Sequence, residues 1–119
     1  MGFKFEKLDV WKRSINYADG LFQVADALPQ KYQFSLGEQL RRAALSIPTN
    51  IAEGSGRDSN KSRSYFYRIA KGSVYETVSL LVMTGKRGIL TREEYQAHYK
   101  EANEIAAILT KLADSEPLA

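Results

Sequence analysis

The stretch from Gln39 to Arg57 reads QLRRAALSIPTNIAEGSGR and sets a proline, paired arginines, an asparagine and a glutamate within a helical pattern. Ser35 followed by Glu38 has the form of a capping box, which predicts a helix start just before this stretch. Apolar residues then recur at helical spacing: Leu36, Leu40, Ala44, Ile47 and Ile51. Pro48 has no amide hydrogen for the carbonyl of Ala44, so the helix bends there or that carbonyl finds another partner.

A polar stripe runs beside this apolar face. Its members are three or four residues apart and so share one side of the helix: Arg42, Ser46, Asn50 and Glu53. We predict a fixed polar network here, with Glu76 of the third helix as the carboxylate partner of Arg42, because a bidentate arginine pair satisfies both groups beside a core. Arg41 points about 100° away from Arg42 and is the better candidate for binding an external anion.

The same stretch resembles the 23S rRNA intervening-sequence proteins, a bacterial family of four-helix bundles. The residues that carry the resemblance are Phe5, Leu8, Trp11, Gln39, Arg41, Arg42, Ala43, Ser46, Ile47, Pro48, Asn50, Ile51, Ala52, Glu53, Gly54, Gly56, Ile69, Ala70, Gly72, Ser73 and Glu76. The sequence departs from the family pattern at Lys31, where an acidic residue is common, and at Gly37, where threonine is common. The resemblance spans Phe5 to Leu112 and implies a ring-shaped homopentamer, while the family's activity is not established.

The composition fits one domain. A chain of 119 residues that is 44% hydrophobic is long enough for a single core, although a domain of this size gains stability from oligomerisation. The chain contains no cysteine, so it has neither disulfides nor thiolate metal ligands. The start MGFKFEKLD has no apolar segment of the signal-peptide kind, and we expect a cytoplasmic protein without a membrane segment.

Hydrophobic periodicity predicts an all-α domain over residues 1–119, with helices at approximately 8–28, 36–54, 60–87 and 92–114. Gly88 is a suitable helix stop, and Thr91 with Glu94 forms a second capping box. No strand-like alternation interrupts the pattern. Four helices with mostly short links favour an antiparallel up-down-up-down four-helix bundle.

The third helix is apolar on nearly every side, which is typical of a helix buried against two surfaces. Its predicted core face comprises Phe66, Ile69, Ala70, Ser73, Thr77, Leu80 and Leu81. A second apolar set lies a quarter to a half turn away: Tyr67, Val74, Val78 and Val82. We predict that this second set contacts another subunit. The periodicity supports an oligomer of unspecified size, and the preference for five subunits comes from the family resemblance.

The net charge of +3 is unevenly distributed along the chain. Residues 1–30 carry four basic and four acidic side chains, residues 31–87 carry ten and four, and residues 88–119 carry three and six. A basic middle and an acidic end would attract nucleic acid, or would pair with each other within or between subunits. The sequence leaves both interpretations open.

Basic residues concentrate after Gly54, where they alternate with the aromatic run Tyr65, Phe66 and Tyr67. Glycines let a backbone approach phosphate closely, a helix start offers free amides, and exposed tyrosines stack on unpaired bases. Together with Arg41, the candidate nucleic-acid-binding residues are Arg57, Lys61, Arg63, Arg68 and Lys71. The alternative is a solvated polar face, with Phe66 in the core and Tyr67 at a subunit contact.

Catalytic and metal-binding patterns are weak in this sequence. The one histidine, His98, stands at helical spacing from Glu94 and Glu101, but di-iron bundles need a Glu-x-x-His pair on each of two helices. We interpret His98 as a packing residue and expect no cofactor and no metal. The predicted function is a non-catalytic homo-oligomer that binds structured RNA or other nucleic acid, with a protein-interaction adaptor or scaffold as the alternative.

Overall fold

The computed structural model describes residues 2–115 of the chain. Its four α-helices are α1 (Asp9–Asp26), α2 (Glu38–Ser55), α3 (Asn60–Lys86) and α4 (Arg92–Asp114). Short 3₁₀ turns lie at Lys4–Lys7 and Gln30–Tyr32, and a π-helical turn at Gln33–Gly37 leads into α2. No strand occurs among the described residues, and the predicted all-α class is confirmed.

The four helices surround a common core. α1 packs against α2 and α4, and α3 packs against the same two helices. The largest aliphatic side chains with no exposed surface come from all four helices: Leu21, Leu40, Ile47, Ile51, Leu81, Ile105 and Leu109. Two hydroxyls bond each other inside this core, since Tyr17 Oη lies 2.9 Å from Thr77 Oγ1. Burial raises the pKa of Tyr17 to about 12.

The connection between α3 and α4 follows the local sequence signals. Gly88 has a φ of 74°, a conformation that glycine adopts without a Cβ penalty, and its amide bonds the carbonyl of Gly85 at 2.9 Å. The predicted capping box is present: the Thr91 hydroxyl accepts the Glu94 amide at 3.1 Å, and the Glu94 carboxylate accepts the Thr91 amide at 2.9 Å. The Thr91 bonds lower the pKa of the Glu94 carboxyl.

The start of α2 does not follow the predicted capping box. The Ser35 hydroxyl donates back to the carbonyl of Tyr32 at 3.4 Å, and the residue before α2 makes no side-chain cap bond. The physical reason is that the π-helical turn runs straight into α2, so the preceding turn supplies the carbonyls for the first amides of the helix. The Ser35 capping box is therefore wrong.

Pro48 lies inside α2, and the helix continues through it. Polar side chains directly after the proline bond carbonyls of the preceding turn. Thr49 Oγ1 donates to the carbonyl of Leu45 at 2.8 Å, and Asn50 Nδ2 donates to the carbonyl of Ser46 at 2.8 Å. These bonds supply carbonyl partners in the turn where a proline weakens the backbone ladder.

The core face of α3 is rotated from the predicted one. Tyr67 and Val74, which we assigned to a subunit contact, are only 4% and 1% exposed within the single chain. Phe66, Ile69 and Leu80, which we assigned to the core, are half-buried. The buried face differs from the predicted one because α3 packs between α2 and α4 and therefore buries residues toward both helices. No described helix combines the length and apolarity needed to cross a membrane.

Candidate nucleic-acid interface

The end of α2 and the start of α3 approach each other closely. A Cβ built on Gly54 would lie 3.0 Å from both Phe66 Cβ and Tyr67 Cε1, so only glycine lets the two backbones come this near. The Ser59 hydroxyl caps α3 by accepting the amide of Ser62 at 3.1 Å. We call this surface the corner and define it by Gly54, Arg57, Lys61, Arg63, Tyr65 and Phe66.

Three side chains of the corner form a row. The guanidinium carbon of Arg57 lies 4.5 Å from the ring centroid of Phe66, within the range of a cation–π contact. The Phe66 ring meets the Tyr65 ring edge to face, with centroids 5.2 Å apart and an interplanar angle of 81°. Tyr65 is 60% exposed. The row therefore has a cation at one end and an accessible aromatic ring at the other.

The remaining basic residues of the corner have different surroundings. Arg63 donates to the carbonyl of Arg57 at 2.8 Å and to Asn60 Oδ1, and these bonds tie the connection to α3. Lys61 is exposed and forms no ion pair with the described carboxylates. Arg57 Nη2 lies 3.7 Å from Glu53 Oε2, an exposed pair one helical turn apart. Such a pair contributes little and leaves both charges accessible to solvent.

The other predicted anion-binding residues lie outside the corner. Arg68 Nη2 bonds Asp114 Oδ1 at 2.9 Å and so joins α3 to the end of α4. Lys71 lies farther along α3, with its Nζ 5.8 Å from the ring centroid of Tyr75. The structure therefore brings together Arg57, Lys61 and Arg63 but not these two.

Arg41 is held inside the fold. Its Nη2 donates to Asp26 Oδ1 and to Gln33 Oε1, both at 2.7 Å. The Gln33 amide in turn donates to the carbonyls of Ala25 and Leu28, both at 2.9 Å, and so satisfies the last turn of α1. Arg41 thus closes the connection from α1 to α2, so its Nε and Nη2 donors are used within the chain, and its predicted binding of an external anion stays a prediction.

Arg87 belongs to the same end of the molecule. Its Nε donates to the hydroxyl of Tyr32 at 2.9 Å, and this bond lowers the pKa of the Tyr32 hydroxyl. Arg87 thereby links the end of α3 to the connection between α1 and α2. We call this group the turn end, and it comprises Asp26, Tyr32, Gln33, Arg41 and Arg87.

The predicted polar stripe of α2 divides into two parts. One part is a hydrogen-bonded cluster between helices: Ser46 Oγ lies 2.8 Å from Ser73 Oγ, and Asn50 Nδ2 donates to Ser46 Oγ at 2.9 Å. The sequence reasoning missed Ser73 as a member of this polar cluster, because it treated that residue only as part of the core face of α3. The cluster joins α2 to α3 beside the core.

The charged part of the stripe lies on the surface. Arg42 Nη2 is 3.3 Å from Glu38 Oε1, one turn earlier in α2, and both side chains are exposed. Glu53 faces Arg57, and Glu76 is exposed on α3. The predicted Arg42–Glu76 pair is thus replaced by a local pair, because exposed charges are satisfied by water and a nearby residue without reaching across to α3.

An open groove of about 240 Å³ runs between α3 and α4. Its lining consists of Val74, Tyr75, Val78, Tyr99, Ala102, Asn103 and Ala106. Tyr75 and Tyr99 are 63% and 46% exposed, while the small side chains of Ala102 and Ala106 leave space between the helices. Of the four residues predicted for a subunit contact, Val78 lines this groove and Val82 is 44% exposed farther along α3.

A model of the 23S rRNA-intervening sequence protein family matches residues 6–111. The chain belongs to this family. The matched residues include the whole corner, the turn end and the groove between α3 and α4. No curated protein sequence is significantly similar to the chain.

In this family member the contact between α1 and α4 contains an arginine that the sequence reasoning missed. Arg13 bonds Glu101 Oε1 at 2.6 Å and Glu104 Oε1 at 2.5 Å, and it lowers the pKa of the Glu104 carboxyl. His98 lies half-buried nearby, with its ring centroid 6.4 Å from that of Tyr17, and burial lowers the pKa of its imidazole. Among residues 2–115 no three potential ligands form a metal-binding group.

Proposed function

We propose that this protein is a non-catalytic, cytoplasmic homo-oligomer that binds structured RNA or other nucleic acid through the corner. The supporting observation is that the exposed ring of Tyr65 lies one helical turn after the exposed Lys61 and ends the row that begins at the accessible Arg57. Lysines and arginines that neutralise phosphates release counterions, which supplies most of the affinity of non-specific binding. At the turn end, by contrast, Arg41 and Arg87 each use donors in hydrogen bonds to Asp26, Gln33 and Tyr32.

The proposed arrangement is an up-down-up-down antiparallel bundle that assembles as a ring of five subunits. Four residues, 56–59, separate α2 from α3, and five residues, 87–91, separate α3 from α4. Connections of this length favour antiparallel neighbours. The groove between α3 and α4 and the exposed Val82 supply apolar surface for a subunit contact. The number five comes from the family resemblance, and such a ring would repeat the corner five times and raise its avidity.

A non-catalytic role is supported by the surroundings of the two stripe-related carboxylates of α2 and α3. Glu53 and Glu76 are both exposed, and Glu53 faces the guanidinium of Arg57. Acid–base catalysis is favoured by a carboxylate held in a cleft away from solvent, and both of these carboxylates are exposed. The proposal therefore assigns Glu53 to the support of the corner.

Charge reversal at the corner tests the proposal. Binding of a fluorescently labelled RNA hairpin with single-stranded flanks is measured by anisotropy at low and high salt. We expect affinity to fall steeply with salt, and the double variant Arg57→Glu, Lys61→Glu to bind at least about 10-fold more weakly than wild type. The matched control is Lys12→Glu, Lys100→Glu, which makes the same charge change at exposed positions of α1 and α4. Equal losses in both double variants would contradict the proposal.

Light scattering tests the assembly. We expect a solution mass five times the chain mass of 13.4 kDa. Replacing the exposed Val82 by glutamate should lower that mass, because an apolar contact does not tolerate an unpaired buried charge. A monomer at the same concentration would contradict the proposed ring.

A protein-interaction adaptor is the second candidate function. The observation that favours it is the groove between α3 and α4, whose walls carry two exposed tyrosines above an alanine floor. Tyrosine suits a partly wet protein interface, and apolar contacts are largely tolerant of salt. Absence of RNA binding at every salt concentration, together with a salt-tolerant protein complex, would favour the adaptor.

A further inference from the structure

We propose that the corner recognises unpaired nucleotides, with the ring of Tyr65 stacking on a base while Arg57 and Lys61 hold the adjacent phosphates. This inference rests on the proposed nucleic-acid binding and narrows its ligand to single-stranded segments. Three observations support it: the exposure of the Tyr65 ring, the residues that surround that ring, and the contacts that position it.

Only a few of the seven tyrosines offer an accessible ring. Tyr17 and Tyr67 are buried in the core, and Tyr32 and Tyr95 are half-buried. Tyr65, Tyr75 and Tyr99 are 60%, 63% and 46% exposed. These three are the most exposed of the described tyrosines.

The surroundings separate Tyr65 from the other two exposed tyrosines. Tyr75 and Tyr99 form walls of the groove between α3 and α4, and the ammonium of Lys71 lies 5.8 Å from the Tyr75 ring centroid. Tyr65 instead lies one helical turn after the exposed Lys61 and contacts Phe66, whose ring packs against Arg57. A strand with one base stacked on Tyr65 could reach Lys61 one turn away and Arg57 beyond Phe66 with its phosphates, and this pairing of an aromatic platform with cations along the strand is used in single-strand binding.

The ring of Tyr65 is both open and fixed. An edge-to-face contact with Phe66 covers at most one face of the Tyr65 ring, so the other face remains available to a base. Phe66 is anchored by its close approach to Gly54, and Arg63 ties the connection to α3. Because these contacts already position the ring, little side-chain freedom is lost on binding.

Stacking of this kind selects against a duplex. In a double helix each base face is already covered by its neighbours, so a duplex can use only the phosphate contacts of the corner. Stacking of one base on an aromatic side chain changes affinity by roughly 10-fold or more when the ring is removed. The corner should therefore prefer single strands over duplexes of the same length.

The test compares an unstructured, labelled 20-nucleotide RNA with its fully paired duplex, by anisotropy at fixed salt. We expect Tyr65→Ala to weaken single-strand binding roughly 10-fold and to leave duplex binding within about 2-fold, since the duplex makes only phosphate contacts. Tyr65→Phe keeps the ring and should bind like wild type. Tyr75→Ala is the matched control, because it removes an equally exposed tyrosine from the same helix. Circular dichroism on each variant verifies that the fold is retained.

Several results would overturn the inference. The first is an unchanged single-strand affinity in Tyr65→Ala, and the second is an equal loss of affinity for single strand and duplex. The third is a Tyr65→Ala variant whose solution mass changes while its RNA affinity does not, which would assign the ring to a subunit contact. Failure of the stacking inference is distinguishable from failure of the proposed function. If Arg57→Glu, Lys61→Glu abolishes binding and Tyr65→Ala does not alter it, only the stacking is wrong; if neither RNA binds wild type, the proposed function itself fails.

Discussion

The two ends of α2 hold their arginines in different ways. At the turn end, Arg41 bonds Asp26 and Gln33 at 2.7 Å, and its side chain is 28% exposed. At the corner, Arg57 faces Glu53 at 3.7 Å, and its side chain is 44% exposed. The first arginine closes the fold, and the second remains accessible. A count of basic residues therefore overstates the positive surface, because the potential depends on which of them have partners.

The two connections explain this difference. The link from α1 to α2 spans residues 27–37, and the carbonyls that end α1 need donors, which the Gln33 amide supplies while Arg41 holds the Gln33 oxygen. The link from α2 to α3 spans only residues 56–59, and Ser59 caps α3 with its own hydroxyl. The second connection is closed by glycine and serine, so it does not require Arg57 as a structural donor.

Among substitutions at the two ends of α2, the largest loss of unfolding free energy should come from adding a side chain at Gly54. In Gly54→Ala the new methyl group would lie 3.0 Å from Phe66 Cβ, an atom fixed to the backbone of α3. Overpacking of this kind typically costs about 1–3 kcal/mol of unfolding free energy. Urea unfolding measures the change.

Gly72→Ala is the matched control for Gly54→Ala. A Cβ at Gly72 would meet nothing within 4 Å beyond the backbone of its own helical turns, so the substitution should stabilise α3 by about 0.5–1 kcal/mol through helix propensity. Equal stabilities of Gly54→Ala and wild type would mean that the corner is not closely packed, and the fixed position of Tyr65 would lose its support.

A smaller effect should come from the turn end. Gln33→Ala removes the donor to the carbonyls of Ala25 and Leu28 and the acceptor for Arg41. We expect a loss of about 1–2 kcal/mol in unfolding free energy, because part-buried polar groups are left without partners. Arg57→Ala removes an exposed ion pair and the cation–π contact with Phe66, and it should cost less, up to about 1 kcal/mol. A larger cost for Arg57→Ala than for Gln33→Ala would reverse the distinction between the two ends.

The parts of the fold that could be predicted depend on sequence signals between residues a few positions apart. The Thr91–Glu94 capping box and the Gly88 stop depend on residues a few positions apart, and both were readable from the sequence. The helical periods were equally readable. The Ser35 capping box failed although its pattern was similar, because the π-helical turn before α2 already occupies the backbone groups that a cap would satisfy. A cap motif is informative only where the backbone actually begins a helix.

Long-range partners could not be predicted from local spacing. Arg13 meets Glu101 across 88 positions of sequence, and only the pairing of α1 with α4 brings them together. The carboxylates of Glu101 and Glu104, three residues apart on one side of α4, were the available signal for this pair. The core face of α3 failed for a related reason: with apolar residues nearly all round, the placement of α2 and α4 decides that Tyr67 and Val74 are buried.

The candidate site was predictable where its members are neighbours in sequence. Arg57, Lys61 and Arg63 lie within seven positions, so the connection and one helical turn bring them together. Arg41 differs, because its partner Asp26 lies 15 positions earlier and meets it only after the chain has turned between α1 and α2. The positions of basic residues in the sequence therefore predict which of them cluster within one connection, but not which of them are paired with residues on the far side of a turn.

The smallest expected effect is a difference in tyrosine ionisation that reports on the turn end. The Arg87 hydrogen bond lowers the pKa of Tyr32 below its ordinary value of 10.0, while burial raises the pKa of Tyr17 to about 12. The lowered pKa of Tyr32 contributes stability that is present above pH 10 and is lost as pH falls through its folded-state pKa. The raised pKa of Tyr17 contributes stability that is present below pH 10 and is lost as pH rises toward 12.

Titration of the phenolate absorbance checks both signs. Tyr32→Phe should remove an early-ionising tyrosine, and Tyr17→Phe should remove the one that ionises near pH 12. Arg87→Ala should return Tyr32 toward its ordinary pKa, because the hydrogen bond that favours its charged form is gone. Arg57→Ala should leave the curve unchanged, since Arg57 lies at the corner and contacts no tyrosine hydroxyl described here. Identical titrations for Arg87→Ala and Arg57→Ala would show that Arg87 is no more firmly bonded than Arg57, and the contrast between turn end and corner would then rest on Arg41 alone.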